Sequence, residues 1–326
     1  MANNISFQMS MYCDDSTFDF FKELLSILPF KQKKMRAALL HKSVRFNEKV
    51  FYSKLVEALE RRVHFSTEVS QDISNSCTFR YDDISNVITI IIFIKECADV
   101  LNFIVAINEL FNNIKIISAF LRDLEDGLLS TAFKIDSYER RGIDTTNLKK
   151  KIWLPYKPFD IEIIDIEQFS RHSHEYGGII FTSTYIMWFG TDFFKFVPKE
   201  TLTSFSDCVS NEVLDNGTVR IQLYEDINDY NTDETDRRQW AFRKHTNIDE
   251  VAEKWNAEYH KMASENMSGA NMIIENGSFE HGGTKLVKMY LDSSGKNVPK
   301  KLAVKAACVE YSSTGKVLCR YETDKF

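Results

Sequence analysis

Val87–Ile94 reads VITIIIFI, a run in which Thr89 is the one polar residue. A membrane span needs roughly 18–20 apolar residues, so a run this short is expected to be a strand buried on both faces. Its neighbours extend the pattern. Cys77–Tyr81 reads as a second strand, and Val63, Phe65, Thr67 and Val69 alternate with polar residues. Near the start of the chain, Ile5, Phe7, Met9 and Met11 alternate with Ser6, Gln8 and Ser10. That period of two predicts another strand, half-buried.

Helical spacing separates these strands. Asp14, Asp15 and Ser16 offer a cap for a helix carrying Phe18, Phe21, Leu24, Leu25 and Leu28, which Pro29 ends. Phe51, Leu55 and Leu59 mark a second helix, and Ala98–Phe111 a third. Ile114–Leu121 is expected to be a strand, with Leu128–Ile135 as its partner. The polar, basic stretch 139–158, with two of the five prolines, reads as a boundary. Residues 1–145 and 146–326 are therefore expected to form two lobes, and the fold class is α+β. Each lobe would be a mostly antiparallel or mixed sheet with helices on one face.

In the second half, 159–169 looks strand-like and Ile179–Phe189 (IIFTSTYIMWF) looks like a buried strand or hairpin. Pro198 suits the start of a helix reaching about Val209. Asn216-Gly217 signals a hairpin whose outgoing strand holds Val219, Ile221 and Leu223. Asn247 and Glu250 form a capping-box variant opening a helix with Val251, Trp255 and Tyr259. Residues 266–283 read as a loop, and Lys285–Leu291, Leu302–Tyr311 and Lys316–Tyr321 as strands, with a turn at 313–315.

Charge is distributed unevenly. The net charge is −6. Asp207–Asp236 contains nine carboxylates and one basic residue, Arg220, whereas Lys31–Arg62 contains ten basic residues and three acidic. An acidic span of this kind suits a basic protein partner. Glu225, Asp226, Asp229, Tyr230, Asp233, Glu234 and Asp236 are the candidate partner-binding residues, with Tyr224 and Trp240 as further aromatic anchors. The basic stretch reads as a solvated face, since an acidic chain is a poor general binder of nucleic acid.

Catalytic motifs are sparse. Gly-x-Ser-x-Gly, a phosphate loop and a dinucleotide fingerprint are all missing, and the acidic span lacks the glycine and closing glutamate of a calcium loop. The six cysteines form no Cys-x-x-Cys pair and read as reduced thiols of a cytosolic chain. Neither a signal peptide nor a membrane span is expected. One cluster suits a metal. His172 and His174, if on a strand, share a face about 7 Å apart. Together the two histidines would hold an ion for a hydrolase or nuclease with Glu175 as base. Further ligands would come from His245, His260, His281 or a carboxylate.

Three segments carry a resemblance: Phe181–Leu202 (FTSTYIMWFGTDFFKFVPKETL), Leu214–Asp226 (LDNGTVRIQLYED) and Arg237–His245 (RRQWAFRKH). Here the chain resembles immunity proteins of bacterial polymorphic-toxin and type VI secretion systems. The resemblance implies a cytoplasmic, non-catalytic inhibitor without cofactors that binds a cognate toxin. It transfers no individual site residue. The alternatives are the metal-assisted hydrolase or nuclease and an adaptor subunit of a larger assembly.

Overall fold

The computed structural model describes residues 3–14, 16–37, 43–61, 64–154, 161–266, 270–275, 284–312 and 316–325. In chain order its elements are β1 (Asn3–Tyr12), α1 (Thr17–Ile27), β2 (Lys34–Arg36), β3 (Val44–Arg45), α2 (Glu48–Arg61), β4 (Phe65–Ser70), β5 (Ser76–Asp82), β6 (Val87–Cys97), α3 (Val100–Phe111) and β7 (Ser118–Asp123). Then come α4 (Leu124–Leu129), α5 (Ile135–Glu139), β8 (Lys150–Leu154), β9 (Ile161–Ile164), β10 (His174–Tyr176), β11 (Ile179–Phe181), β12 (Ile186–Phe189), α6 (Lys199–Thr203), β13 (Ser210–Val213) and β14 (Val219–Gln222). The remainder is α7 (Asp233–Thr246), α8 (Ile248–Asn266), β15 (Ala270–Glu275), β16 (Thr284–Leu291), β17 (Lys305–Tyr311) and β18 (Val317–Thr323). The fold is α+β.

One ten-stranded sheet, in the order β13-β14-β12-β7-β1-β6-β5-β4-β2-β3, organises the chain up to Trp255. Its strand pairs are antiparallel. The alternation in β1 splits the sheet into two chemically different faces. Phe7 pairs with Leu121 and Met9 with Ala119, which in turn faces Trp188. On this face Phe7 meets Phe103 at 5.8 Å, Phe21 meets Phe79 at 4.5 Å and Phe111 meets Trp188 at 5.9 Å. The edge-to-face geometry of these contacts suits aromatic rings, and it fixes α1 and α3 against the sheet. Ser6, Gln8 and Ser10 lie on the opposite face and pair with Arg122, Phe120 and Ser118. The second face is covered too, by α4, the β10–β11 hairpin and α7, so β1 is buried on both faces rather than half-buried. Gly127 approaches Ser6, the Ser10 hydroxyl donates to the Gly178 carbonyl at 2.5 Å, and Phe242 stacks on Phe189 at 6.0 Å. Helices thus stand on both faces of the sheet.

Strands from either side of position 145 share this sheet, because β12 pairs with β7. The compact units divide instead at Trp255/Asn256. Residues 139–154 are mostly exposed and pack through Ile143 and Leu148 on a small cluster of their own with Tyr138 and Ile164, and the apolar alternation on either side of them belongs to one core. The second unit, Asn256–Phe326, contains an antiparallel sheet in the order β15-β16-β17-β18.

Several local expectations change. Leu128–Ile135 is not a strand: the Asp123 carboxylate accepts from the amides of Glu125 and Asp126 and opens α4. The helix after Pro198 ends at Thr203, because Asn211 takes the carbonyls of Leu202 and Phe205 and the chain enters β13. Of 159–169, only Ile161–Ile164 is a strand, and 159–160 lie outside the described residues. Within 266–283, β15 replaces the expected loop, and the rest lies outside the described residues apart from Asn266, as does the turn at 313–315. The Asn216-Gly217 hairpin forms between β13 and β14, with Gly217 at φ +85°. At Gly190 a Cβ would fall 1.9 Å from the Ile116 carbonyl oxygen, so the exit from β12 accepts glycine alone.

Candidate functional site

The polar face of the sheet supports two buried networks. Arg122, 3% exposed, donates from Nη1 to the hydroxyls of Ser130 (2.8 Å) and Ser173 (3.0 Å) and from Nη2 to Gln8 (3.2 Å). Asp126 lies beside it, fully buried, and accepts from Thr184 at 3.0 Å. Burial raises the Asp126 carboxyl to about 6, against the opposing charges of Arg122 and Arg171.

The second network centres on Arg243. In α7 the buried positions Thr235, Gln239, Phe242 and Thr246 recur at helical spacing, and Arg243 falls on that face. Asn247 then adopts the left-handed conformation, φ 53°, and turns the chain into α8. This turn returns Asp249 to Arg243, whose Nε donates to Asp249 Oδ2 at 3.1 Å while Nη2 donates to Oδ1. Nη1 donates to the carbonyls of Ser170 (3.2 Å) and His172 (2.9 Å) and to the Ser183 hydroxyl (3.1 Å). Burial would raise the Asp249 carboxyl. Hydrogen bonds from His172 and Arg243, with the guanidinium charge, instead hold it well below the usual carboxylate range.

The structure brings both predicted histidines to this point. The rings of His172 and His174 are 5.0 Å apart, closer than two positions on a flat strand would place them, because only His174 belongs to β10. His172 Nδ1 donates to the Phe169 carbonyl at 2.5 Å, and its Nε2 lies 3.0 Å from Asp249 Oδ1. His174 Nε2 lies 4.0 Å from the same oxygen. Ligand atoms of His172, His174 and Asp249 all fall within 4.8 Å of one another. Burial, followed by the charges of His172 and Arg243, lowers His174 to about 4. Glu175, proposed as base, takes the other side of β10 and accepts from Gln8 at 3.4 Å. His245 engages the Thr201 carbonyl at 2.9 Å, His260 belongs to the second unit, and His281 lies outside the described residues.

The two networks give stability opposite responses to pH. Asp126 has a folded value of about 6 against 3.8, so its contribution is present below about 4 and is lost as pH rises through 6. His174 has a folded value of about 4 against 6.5, so its contribution is present above 6.5 and is lost as pH falls through 4. Each amounts to roughly 3 kcal/mol, and they offset one another. Urea unfolding between pH 4 and 6.5 should show Asp126→Asn gaining stability as pH rises and His174→Gln losing it.

The acidic candidates divide by their partners. Glu234 pairs with Arg237 and Arg238 at 2.9 Å, and Asp207 joins that group. Asp236 accepts from Ser170 at 2.6 Å, which ties it to the buried network. Asp233, Glu234 and Asp236 also occupy the first turn of α7, where the helix dipole favours negative charge. Asp226 caps the short turn that follows it, accepting from the Asn228 amide at 2.9 Å. Glu225, Asp229 and Asp233 are exposed and have no ion-pair partner among the described residues. Tyr230 is half-buried among them. Burial raises its hydroxyl, and the charges of Asp123, Glu125 and Asp126 raise it further, against Arg171. Tyr224 is buried at 3% exposure and is no surface anchor, whereas Trp240 is 38% exposed and lies over His172 at 6.1 Å.

Arg243, Asp249, Arg122 and Asp126 were not among the candidates. The α7 periodicity held a signal for Arg243, while Asp249 joins it only through the left-handed turn at Asn247. In comparisons with protein-family models, curated proteins and solved structures, nothing matches the chain.

Proposed function

We propose that this chain is a non-catalytic binding protein that captures a basic protein partner on the acidic face formed by Glu225, Asp226, Asp229 and Asp233. The resemblance to immunity proteins makes a bacterial toxin domain the first candidate partner and the cytoplasm the place of action. The observation that carries this reading is the contrast between two sets of carboxylates. Asp207, Glu234, Asp236 and Asp249 are satisfied internally, while Glu225, Asp229 and Asp233 present their charge to solvent. Solvated charges of one sign raise the encounter rate with an oppositely charged partner. Tyr230, next in sequence to Asp229, adds a half-buried aromatic anchor. The reading is tested by mixing the chain with basic domains encoded beside its own reading frame and reversing these charges.

The convergence of His172, His174 and Asp249 favours a second reading, a metal centre for a hydrolase or nuclease. Its geometry is poor for that role. The Arg243 guanidinium contacts both His172 Nε2 and Asp249 Oδ1, so a divalent cation would sit against a buried positive charge. Repulsion of several kcal/mol follows at short range even with effective screening. Equilibrium dialysis against Zn²⁺ should leave less than about 0.1 ion per chain at low-micromolar free zinc, a regime in which true zinc sites fill. Stoichiometric zinc, abolished by His172→Ala, would favour the metal centre.

A further inference from the structure

The second unit has an open side. Its core cluster consists of Leu286, Tyr290, Ala306 and Cys308, with Ala303 packed against it. Met289, Leu302, Val304, Val317, Leu318 and Tyr321 are exposed, which is much apolar surface for so small a core. β18 is an edge strand of this sheet, and six of its seven residues are exposed. An edge strand of that length presents a row of backbone donors and acceptors to any strand that approaches. Neither proline nor lysine interrupts Val317–Thr323, and its two charges, Arg320 and Glu322, are of opposite sign and can pair across an edge.

We infer that β18 is a dimerisation edge, pairing antiparallel with β18 of a second copy to continue the sheet across a two-fold axis. The charges select the register. A two-fold axis perpendicular to the sheet places one residue opposite its own equivalent. Centring on Arg320 would set arginine against arginine, and centring on Glu322 would set glutamate against glutamate. Both arrangements are unfavourable. Centring on Cys319 would oppose Leu318 to Arg320, and the one ion pair it offers, Lys316 to Glu322, falls beyond the end of the strand. Centring on Tyr321 opposes Arg320 to Glu322 of the second copy, twice, and stacks tyrosine beside tyrosine.

The existing contacts allow this register. Arg320 has no ion-pair partner among the described residues, and Glu322 holds Lys305 at 2.9 Å through one carboxylate oxygen. Register with β17 places Tyr321 beside Cys308 and therefore on the side of the buried cluster. The paired tyrosines would extend that cluster over the dimer axis. Arg320 and Glu322 would meet on the opposite face.

Sedimentation velocity on the full chain, from about 1 to 100 μM, tests the inference, because edge-paired dimers of modest area associate in this range. A concentration-dependent dimer is expected. Arg320→Glu turns two attractive cross-strand pairs into two repulsive ones and should weaken dimerisation about 30-fold. The double variant Arg320→Glu/Glu322→Arg restores opposite charges across the axis and should recover affinity to within about five-fold of the original. In a Cys308→Ala/Cys319→Ser background, which removes the thiol opposite position 321 in β17, Tyr321→Cys should form a disulfide-linked dimer on mild oxidation, since directly opposed residues approach to Cβ distances of about 4.5–5.5 Å. Monomer at every concentration would overturn the inference. So would a dimer indifferent to Arg320→Glu, a failure of the double variant to recover, or a dimer that instead dissolves on Asp229→Lys.

Discussion

Replacing Arg243 with methionine is expected to lower the free energy of unfolding by about 2–4 kcal/mol, below the full cost of breaking a buried ion pair because the Asp249 side chain is 40% exposed. The urea midpoint should fall by about 1 M for a unit of this size. The magnitude follows from the number of groups the guanidinium satisfies at once. Its side chain is 1% exposed, and it donates to Asp249, to the Ser170 and His172 carbonyls and to Ser183. Methionine fills much of the volume but donates nothing, so two carbonyls and a carboxylate each lose one of their partners. Arg243→Lys would keep the charge but could not reproduce the planar, multidentate geometry, and an intermediate loss is expected. Lys244→Met, at the exposed neighbouring position, serves as control and should change stability by less than about 0.5 kcal/mol. A loss for Arg243→Met no greater than that of the control would show that the network contributes nothing to the fold.

Reversing Glu225, Asp229 and Asp233 together to lysine is expected to slow association with a basic partner by about 100-fold at low salt. These positions are chosen because the other candidates hold the structure itself. Asp226 caps a turn, Glu234 binds Arg237 and Arg238, and Asp236 accepts from Ser170. Changing those would confuse binding with folding. The three chosen side chains are exposed, so stability should move by less than about 1 kcal/mol. The deficit in association rate should shrink toward parity near 1 M salt, where the screening length falls to about 3 Å. Stopped-flow or surface-based kinetics at several ionic strengths would separate the electrostatic part from contact energy. An unchanged rate at low salt would remove the acidic face from the binding account.

Much of the fold was legible in the sequence because burial imposes periodicity. The alternation in Ile5–Met11 gives β1, the apolar run around Thr89 gives β6, and Asn216-Gly217 gives the turn between β13 and β14. Two kinds of feature were hidden. Leu128–Ile135 has enough apolar residues for a strand, yet the cap at Asp123 starts a helix first, a competition that apolar content does not show. The partition of the chain also depends on which strands pair. Polarity after residue 139 marks exposure, but β7 and β12 meet across it because both are apolar on matching faces. The candidate site was half visible for a similar reason. Composition found the acidic span and the histidine pair. It could not separate carboxylates that bind internal arginines from those left in solvent, since that depends on side-chain partners. Nor could it place Arg122 and Asp126, whose burial follows from hydrogen bonds to Gln8, Ser130, Ser173 and Thr184 rather than from their own polarity.

The most direct test of the acidic face is a hydrogen-exchange footprint of the chain in complex with a basic domain encoded beside it. The expected result is slowed exchange at the amides of residues 223–233 and at the start of α4, with the rest of the ten-stranded sheet unchanged. Protection confined to other surfaces, such as the β2–β3 edge, or the failure of any such domain to form a complex, would contradict it.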